Sequence, residues 1–322
     1  MARAWRIEYE GALYHVLPRG NERRDIFLDD DDRTMFMTGL AEAVERFAVD
    51  VLAYVLMGNH YHLLLRTRRA NLSKAMQWLG LSYTTRFNFK QSRSGHLFQG
   101  RFKSMLVEND AYLLQLSYYI HRNPVRAGIV ERLADFRWSS YPAYAYEKRA
   151  PEWLNTEVIL SQMENAGDRH QAYRKNAQKY ATEEARLWED LRHGFILGSM
   201  RFVETIKARY LPDGAHPEIP QQKRVAKDVD VEMALSQAAK LLGCDVEEFR
   251  SGGRVSPQRS LERDLLLYLI RQMGILTDQQ LGGMFGLGYS AVSRRSGIFN
   301  AKLQENRTLQ RKFDSLRSKI KT

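Results

Sequence analysis

Hydrophobic and polar positions in the first 125 residues follow two periods, one typical of strands and one of helices. In chain order, the predicted elements are a strand over residues 12–17, a helix over 33–48, strands over 51–57 and 60–66, a helix over 71–87, a strand over 98–108 and a helix over 110–122. The first six have the order of the ferredoxin-like split unit, in which two helices cover one face of an antiparallel sheet. We therefore expect an α+β fold whose second sheet face is free.

The helix over residues 110–122 is additional to that unit. Asn109 and Asp110 are suited to cap its start, and Asn123-Pro124 is predicted to end it, because a residue before proline is disfavoured in the helical region. We expect this helix near the free face of the sheet or at its edge.

Two histidines stand on the third predicted strand, where side chains alternate between the faces. Tyr61, Leu63 and Leu65 should pack under the helices, so His60 and His62 would share the open face. A separation of one pleat repeat allows two imidazoles to share one metal ion. A bare His-x-His pattern also fits two solvent-facing histidines, and the pattern alone leaves both interpretations open.

Tyr119 and Asn123 lie four residues apart on the last predicted helix, so a phenol and an amide oxygen project together. Tyr118 lies about 100° further round the helix and competes for the same role. The structural alternative makes both tyrosines core aromatics and Asn123 a helix stop.

Hydrophobic residues make up 44% of the 322 residues and charged residues 27%, which is typical of a globular protein and excludes a mostly disordered chain. No apolar run approaches the roughly 20 residues that cross a bilayer, so we expect no membrane partner and a cytoplasmic location. Cys244 is the single cysteine. A metal would therefore need His, Asp, Glu or amide ligands.

The net charge of +11 is unevenly distributed along the chain. Residues 1–150 carry 22 basic and 16 acidic side chains, residues 151–250 carry 14 and 17, and residues 251–322 carry 13 and 5. Two basic blocks separated by a slightly acidic one predict two contacts with a polyanion such as nucleic acid. A well-solvated surface is the alternative.

The second half of the chain is predicted to be helical, with proline and polar residues over 210–227 acting as a linker. We expect three regions, namely residues 1–150, a helical connector and linker over 151–225, and a helical domain over 226–322. In the last region the pattern predicts helices over 261–273, 278–285 with Thr277 as cap, and 290–304, a turn at 286–288, and an interior formed by Leu281, Phe285, Val292 and Ile298.

The N-terminal block contains five short motifs, which are, in chain order, Arg19-Gly20-Asn21, Met57-Gly58-Asn59-His60-Tyr61-His62, Gly100-Arg101-Phe102-Lys103-Ser104, Tyr119-Ile120-x-x-Asn123-Pro124-Val125-Arg126-Ala127-Gly128 and Trp138-Ser139-Ser140-Tyr141. Together they resemble the REP-associated tyrosine transposases of the HUH (histidine, hydrophobe, histidine) single-strand nuclease superfamily. The resemblance covers about residues 7–145.

This resemblance implies a bacterial, nucleoid-associated enzyme that cleaves and rejoins DNA beside hairpins of repetitive extragenic palindromes. It implies that Tyr119 is the nucleophile of a 5′-phosphotyrosine intermediate and that His60, His62 and Asn123 bind a divalent cation, Mg²⁺ or Mn²⁺. His121 and Arg122 stand where the family pattern has an acidic and an apolar residue, which predicts a more basic surface beside the tyrosine.

The expected partner is single-stranded and hairpin DNA. The candidate phosphate contacts are Arg19, Arg23, Arg24, Arg101, Lys103, Arg122 and Arg126, and the candidate base-stacking rings are Phe98 and Phe102. The last helices resemble the helix-turn-helix domain of the bacterial replication initiator DnaA, which implies binding of duplex DNA through Tyr289, Ser290, Ser293, Arg294 and Arg295. A helical bundle used for protein contacts is the alternative.

Two further functions compete with the transposase. One is a domesticated palindrome-binding or regulatory protein that does not cleave. The other is a metallohydrolase that uses His60 and His62 with an activated water. The sequence leaves monomer and homodimer equally open.

Overall fold

The computed structural model describes residues 5–108, 112–148, 150–163, 167–179, 187–188, 190–211, 222, 225, 231–250, 256–273, 276 and 278–320. The chain divides into two compact units. The N-terminal unit comprises Arg6–Asp190 with Phe195–Ser199, and the C-terminal unit is formed chiefly by Leu191–Gly194 and Met200–Thr322. Among the described helices, none has the length and apolarity needed to span a membrane.

The N-terminal unit is built on an antiparallel sheet. Its elements are β1 (Leu13–Leu17), α1 (Asp30–Phe47), β2 (Val49–Leu56), β3 (Tyr61–Thr67), α2 (Leu72–Lys90), β4 (Lys103–Val107), α3 (Leu113–Arg126), α4 (Tyr141–Ala145), α5 (Glu157–Leu160), α6 (Arg169–Lys179) and, after the short β5 (Leu191–Arg192) of the C-terminal unit, β6 (Ile196–Leu197). Strands β2, β3, β1 and β4 lie side by side in that antiparallel order, and β6 joins β4 in parallel. The expected ferredoxin-like α+β fold is confirmed.

The two long helices cover one face of this sheet. Helix α2 forms where it was predicted, and its buried residues, from Leu72 to Phe87, recur at the spacing of one helix face. Helix α1 starts three residues earlier than predicted because the Asp29 side chain accepts a hydrogen bond from the Asp32 amide. Strand β4 begins at Lys103 rather than residue 98, after Gly100 adopts a φ of 131°. The predicted cap at Asn109-Asp110 lies outside the described residues.

Helix α3 does not end before Pro124, as predicted, but continues to Arg126. Proline lacks the amide hydrogen that would bind the Ile120 carbonyl. The Asn123 side chain replaces it, since its Nδ2 lies 2.8 Å from the Tyr119 oxygen and 3.3 Å from the Ile120 oxygen. The Asn123 side-chain amide therefore supplies the hydrogen bond that Pro124 cannot make, and the helix continues past the proline.

The chain does not divide at residue 150. Helix α6 belongs to the N-terminal unit, where its Tyr173 is fully buried and its ring lies 4.9 Å from Tyr118 of α3 and 4.8 Å from Tyr144 of α4. The expected all-α connector also contributes a strand, because β6 extends the sheet at β4. Most of the predicted linker over 210–227 lies outside the described residues.

The C-terminal unit is helical over its described residues apart from β5. Its helices are α7 (Met200–Tyr210), α8 (Val231–Leu242), α9 (Glu247–Arg250), α10 (Pro257–Met273), α11 (Asp278–Met284), α12 (Tyr289–Glu305) and α13 (Arg307–Lys319). Helices α11 and α12 are joined by a tight turn that packs against Gly282 of α11, where a Cβ would lie 2.3 Å from the Leu287 oxygen, so only glycine fits. Leu281, Phe285 and Val292 are buried as predicted, but Ile298 is 50% exposed and Phe299 takes its place in the core. The predicted cap Thr277 lies outside the described residues.

Candidate active site

The β2–β3 hairpin places the two strand histidines where alternation predicts them. Tyr61 packs under the helices, with its ring 4.5 Å from that of Phe36. His62 faces the other side of the sheet and is only 3% exposed, while His60 is half-buried. The interpretation as two solvent-facing histidines is therefore wrong for His62.

Tyr119 lies against this histidine pair. Its half-buried ring meets that of His62 edge-on at 5.8 Å between centroids. Tyr118, the competing candidate, is buried on the other side of α3 against Tyr173. Of the two tyrosines, the structure brings Tyr119 to the histidines.

Two further side chains surround the Tyr119 ring. The Arg126 guanidinium lies over its face at 4.8 Å from the centroid, and Trp188 meets it edge-on at 4.8 Å. A cation over an aromatic face is attracted by the ring's electron density and favours negative charge nearby. Trp188 comes from a segment predicted to be only connector, so this aromatic neighbour was missed by the sequence analysis.

His15 on β1 is the second residue that the sequence analysis missed. Its Nε2 lies 2.8 Å from His62 Nδ1, and its ring is 6.0 Å from that of Tyr119. The side chain is 1% exposed. In the ferredoxin-like order β1 lies beside β3, so a histidine within the first apolar strand was the signal that could have found it.

His60 is oriented by the residue that precedes it. Its Nδ1 lies 2.6 Å from Asn59 Oδ1, and Asn59 Nδ2 donates to the Arg23 carbonyl. Because the amide nitrogen is used by that carbonyl, Asn59 Oδ1 accepts from His60 Nδ1. His60 Nε2 is left with its lone pair.

The pKa values of these imidazoles favour the neutral form. Burial, together with the positive charge of Arg19, lowers the pKa of His60 to about 4. Burial lowers the pKa of His15 to about 3. Burial, then the charges of His15, His60, Arg126 and Arg19, hold the pKa of His62 well below its usual value. Neutral imidazole is the form that binds metal ions.

Asn123 has one acceptor left after its amide nitrogen has bonded α3. With Nδ2 on the Tyr119 and Ile120 carbonyls, its Oδ1 is the atom available to a ligand.

The donor set is chemically suited to a divalent cation. In the described part of the chain, no hydrogen bond uses Nε2 of His60 or His62. No cluster of three or more His, Cys, Asp or Glu side chains with metal-binding geometry occurs among the described residues. A cation here would therefore need oxygen ligands, such as Asn123 Oδ1, water or a phosphate, in addition to the two imidazoles. Mixed nitrogen and oxygen ligands suit Mn²⁺, and oxygen ligands suit Mg²⁺.

Several predicted phosphate contacts border this face. Arg19 is exposed and pairs with His60 in an isolated bridge, in a turn where a Cβ on Gly20 would lie 2.1 Å from the Arg24 oxygen. Lys103 pairs with Leu17, two register positions from the pairing of His15 with Met105, so it shares the histidine face. Arg23, Arg24 and Arg101 are exposed, with Arg24 paired to Glu22.

Four side chains that were predicted to contact DNA or to add basic surface have partners within the protein. The Arg122 guanidinium, predicted to contact phosphate, donates instead to the Ala177 and Gln178 carbonyls at the end of α6. His121 adds no basic surface, since it is 1% exposed and burial lowers its pKa to about 3. One face of the Phe102 ring is covered by the Arg6 guanidinium at 3.8 Å, and Phe98 is half-buried with its ring edge-on to Tyr61.

The C-terminal candidates lie at the start of α12. Tyr289 is 63% exposed, and Ser290, Ser293 and Arg294 are also exposed. Arg295 differs, because it is half-buried and forms an ion pair with Asp264 of α10 at 3.0 Å. Its charge joins two helices, which favours a structural role over the predicted contact with DNA.

Comparison with known proteins bears on the N-terminal unit. Residues 8–123 match the model of a protein family described as "Transposase IS200 like". A solved structure described as a REP-associated tyrosine transposase bound to a REP hairpin is also similar, with 18% sequence identity, coverage of 49% of this chain and 93% of that chain, and a TM-score of 0.40. No curated protein matches the chain.

Proposed function

Because residues 8–123 match the IS200-like transposase family, we propose that the N-terminal unit is a single-stranded DNA transposase or endonuclease. The matched segment contains His60, His62, Tyr119 and Asn123. The observation that carries the proposal is the position of Tyr119, edge-on to His62 and beneath the Arg126 guanidinium. A phenol, two imidazoles and a guanidinium thus lie close together, which supports the proposal.

The proposed reaction is transfer of a phosphodiester to tyrosine. Tyr119 Oη attacks the phosphorus and forms a new P–O bond while the bond to the 3′ oxygen breaks. The proton lost by the phenol balances the proton gained by the departing 3′-hydroxyl. The 5′ end stays on the protein as a phosphotyrosine, and attack by a new 3′-hydroxyl reverses the step and joins the strands.

A divalent cation bound by His60, His62 and Asn123 would act as a Lewis acid on the phosphate oxygens. The chain's own residues perform the other tasks. Arg126 lies over the nucleophile and favours the negative charge that develops there, and Arg19 and Lys103 offer charge to the incoming strand on the same face. Burial favours the neutral form of both imidazoles, which is the form that binds metal ions.

The test uses a hairpin oligonucleotide with a single-stranded flank, labelled at its 3′ end, and Mn²⁺. Wild type should release the unlabelled fragment and retain the label on denatured protein. Tyr119→Phe should lose cleavage by on the order of 10³-fold or more, because the attacking oxygen is removed. Tyr118→Phe is the matched control and should cleave within a few-fold of wild type.

Other results would favour the competing functions. Cleavage that leaves no label on the protein favours a metallohydrolase with activated water. Tight binding without cleavage in Mg²⁺ and Mn²⁺ favours a regulatory protein that only binds palindromes. Equal cleavage by wild type and Tyr119→Phe removes the tyrosine from the mechanism.

We further propose that the C-terminal unit binds duplex DNA through the start of α12. Tyr289, Ser290, Ser293 and Arg294 are exposed there, and residues 251–322 carry 13 basic against 5 acidic side chains. Helices α11 and α12 with their tight turn support the resemblance to a helix-turn-helix, in which the second helix enters the major groove. Loss of duplex binding on substitution of Tyr289 and Arg294 would support this role.

A further inference from the structure

His15 has no role in the proposed reaction, yet it is joined directly to a proposed cation ligand. It is buried at the middle of β1, with its Nε2 at 2.8 Å from His62 Nδ1 and its ring plane within 15° of parallel to that of His62. His15 Nδ1 is buried and has no hydrogen-bond partner among the described residues. A buried polar atom without a partner is rare and calls for a physical explanation.

The hydrogen bond between the two rings can run in either direction. A neutral imidazole has one N–H and one lone pair, so one of the two facing nitrogens must donate to the other. If His15 donates, His62 Nε2 carries a hydrogen and cannot bind a cation. If His62 donates, its Nε2 has a free lone pair, and the hydrogen of His15 moves to the unpartnered Nδ1.

His60 has no such choice. The Asn59 amide is fixed by its own bond to the Arg23 carbonyl, so His60 Nδ1 donates and His60 Nε2 keeps its lone pair in every state. One proposed ligand is therefore preset, while the other depends on the direction of a buried histidine pair.

Resting on the proposed cation site, we propose that His15 is a positioning residue that holds the His62 ring and sets its tautomer. Without a cation the bond runs from His15 to His62, because the remaining hydrogen then lies on His62 Nε2, which is not one of the fully buried atoms, and not on the fully buried, unpartnered His15 Nδ1. Binding of a cation at His62 Nε2 reverses the bond. His62 Nδ1 then donates to His15, and the unpartnered Nδ1 of His15 receives the hydrogen.

The arrangement gives His15 the part that a carboxylate or a backbone carbonyl plays at most metal-bound histidines. Such partners orient the ring and raise its basicity, and their loss commonly weakens metal binding by about 10- to 100-fold. The acceptor here is a second imidazole, which can also donate. The pair therefore stays hydrogen-bonded in both states, whereas a carboxylate would favour only the ligand tautomer.

The first test measures Mn²⁺ binding to the full chain by electron paramagnetic resonance of the free ion. His15→Phe keeps the ring volume but cannot bond His62, and it should weaken binding by about 10- to 100-fold. His15→Gln offers an amide oxygen to His62 Nδ1 and should recover part of that loss. His121→Phe replaces another buried, neutral histidine outside the site and should bind Mn²⁺ like wild type, while His62→Ala should abolish binding.

The second test reads the His62 tautomer in wild type, so it does not depend on a variant that folds. Nitrogen-15 spectra should show the hydrogen on His62 Nε2 without a cation and on Nδ1 with saturating Mg²⁺. An unchanged tautomer, or wild-type Mn²⁺ affinity in a folded His15→Phe, overturns the role of His15 and leaves the cation site intact. Absence of Mn²⁺ binding in wild type overturns the cation site together with this inference. The nucleophile is tested separately, by retention of the labelled oligonucleotide on the protein.

Discussion

Two buried, neutral histidines lie on different sides of helix α3, namely His121 of α3 itself and His62 of β3, and their surroundings differ. His121 uses both ring nitrogens, with Nδ1 at 2.7 Å from the Tyr173 hydroxyl and Nε2 at 2.6 Å from Ser140 Oγ. His62 uses only Nδ1 and keeps Nε2 unengaged among the described residues. Burial and a low pKa are therefore common to both, and they do not separate a structural histidine from a proposed ligand. The unengaged nitrogen does.

The same contrast separates the arginines. Arg295 forms an ion pair with Asp264, and Arg122 donates to carbonyls at the end of α6. Arg294 makes no ion pair or hydrogen bond among the described residues, and Arg19 is exposed beside His60. A charged side chain with an internal partner stabilises the fold, and one without is available to a phosphate.

The largest effect is expected where the unengaged nitrogen is removed. His62→Ala should reduce cleavage of the hairpin oligonucleotide by on the order of 10³-fold, because the proposed cation loses a ligand beside the nucleophile. Cleavage rates at saturating Mn²⁺ measure it. Cleavage at the wild-type rate by His62→Ala would remove the distinction between the two histidines.

His121→Ala should act on stability instead. It leaves Tyr173 and Ser140 without their buried partner and opens a cavity, so we expect a loss of about 2–4 kcal/mol in the free energy of unfolding. Urea denaturation measures the loss. Cleavage per folded molecule should stay within a few-fold of wild type, and a larger fall would place His121 in the catalytic machinery.

The pH dependence of stability should also reflect His121. Its pKa is about 3 in the folded state and about 6.5 when unfolded, so the unfolded chain takes up the proton first as the pH falls. Its contribution is complete above pH 6.5 and is lost toward pH 3, by up to about 1.4 kcal/mol per pH unit. Urea denaturation between pH 6 and 4.5 should show a slope shallower by about that amount in His121→Phe. An equal slope would mean that His121 is protonated in the folded state.

Asn123 bonds two carbonyls of α3 and is also a proposed ligand of the cation, and a double variant separates these two roles. Asn123→Ala should cost about 1 kcal/mol of stability, because it uncovers the Tyr119 and Ile120 carbonyls, and should weaken Mn²⁺ binding as well. Adding Pro124→Ala restores an amide hydrogen for Ile120. Thermal denaturation should then recover while Mn²⁺ binding stays weak, and recovery of both would show that Asn123 serves only the helix.

The smallest effect is expected for the arginines of α12. Arg294→Ala should flatten the dependence of duplex affinity on salt by about 0.9 log units per log of salt, which is the contribution of one phosphate contact. Fluorescence anisotropy across a salt series measures the slope. Arg295→Ala should lower thermal stability and leave the slope unchanged, and the opposite result would reverse the assignment of the two residues.

The sequence predicts the features that depend on local spacing. The fold order, the opposite faces of Tyr61 and His62, and the shared face of Tyr119 and Asn123 follow from periods of two and four residues. What it misses depends on partners far along the chain. His15 meets His62 across 47 residues, His121 meets Tyr173 across 52, and Arg295 meets Asp264 across 31. No local pattern reports such pairings.

The prediction that α3 ends before Pro124 is wrong for a related reason. The preference of a residue before proline to leave the helix is a local rule, and here a side-chain bond overrides it. The same bond also orients the amide that we propose as a ligand.

Strand β6 has a consequence for how the protein is made and handled. The chain leaves the N-terminal unit at Asp190, contributes Leu191–Gly194 to the other unit, and returns with Phe195–Ser199. The Leu106 and Glu108 amides bond Phe195 and Leu197, and the Glu108 carboxylate binds Ser199. A protein that stops at residue 190 therefore exposes the edge of β4, a template for aggregation. During synthesis, β6 can pair with β4 only after residue 199 has left the ribosome.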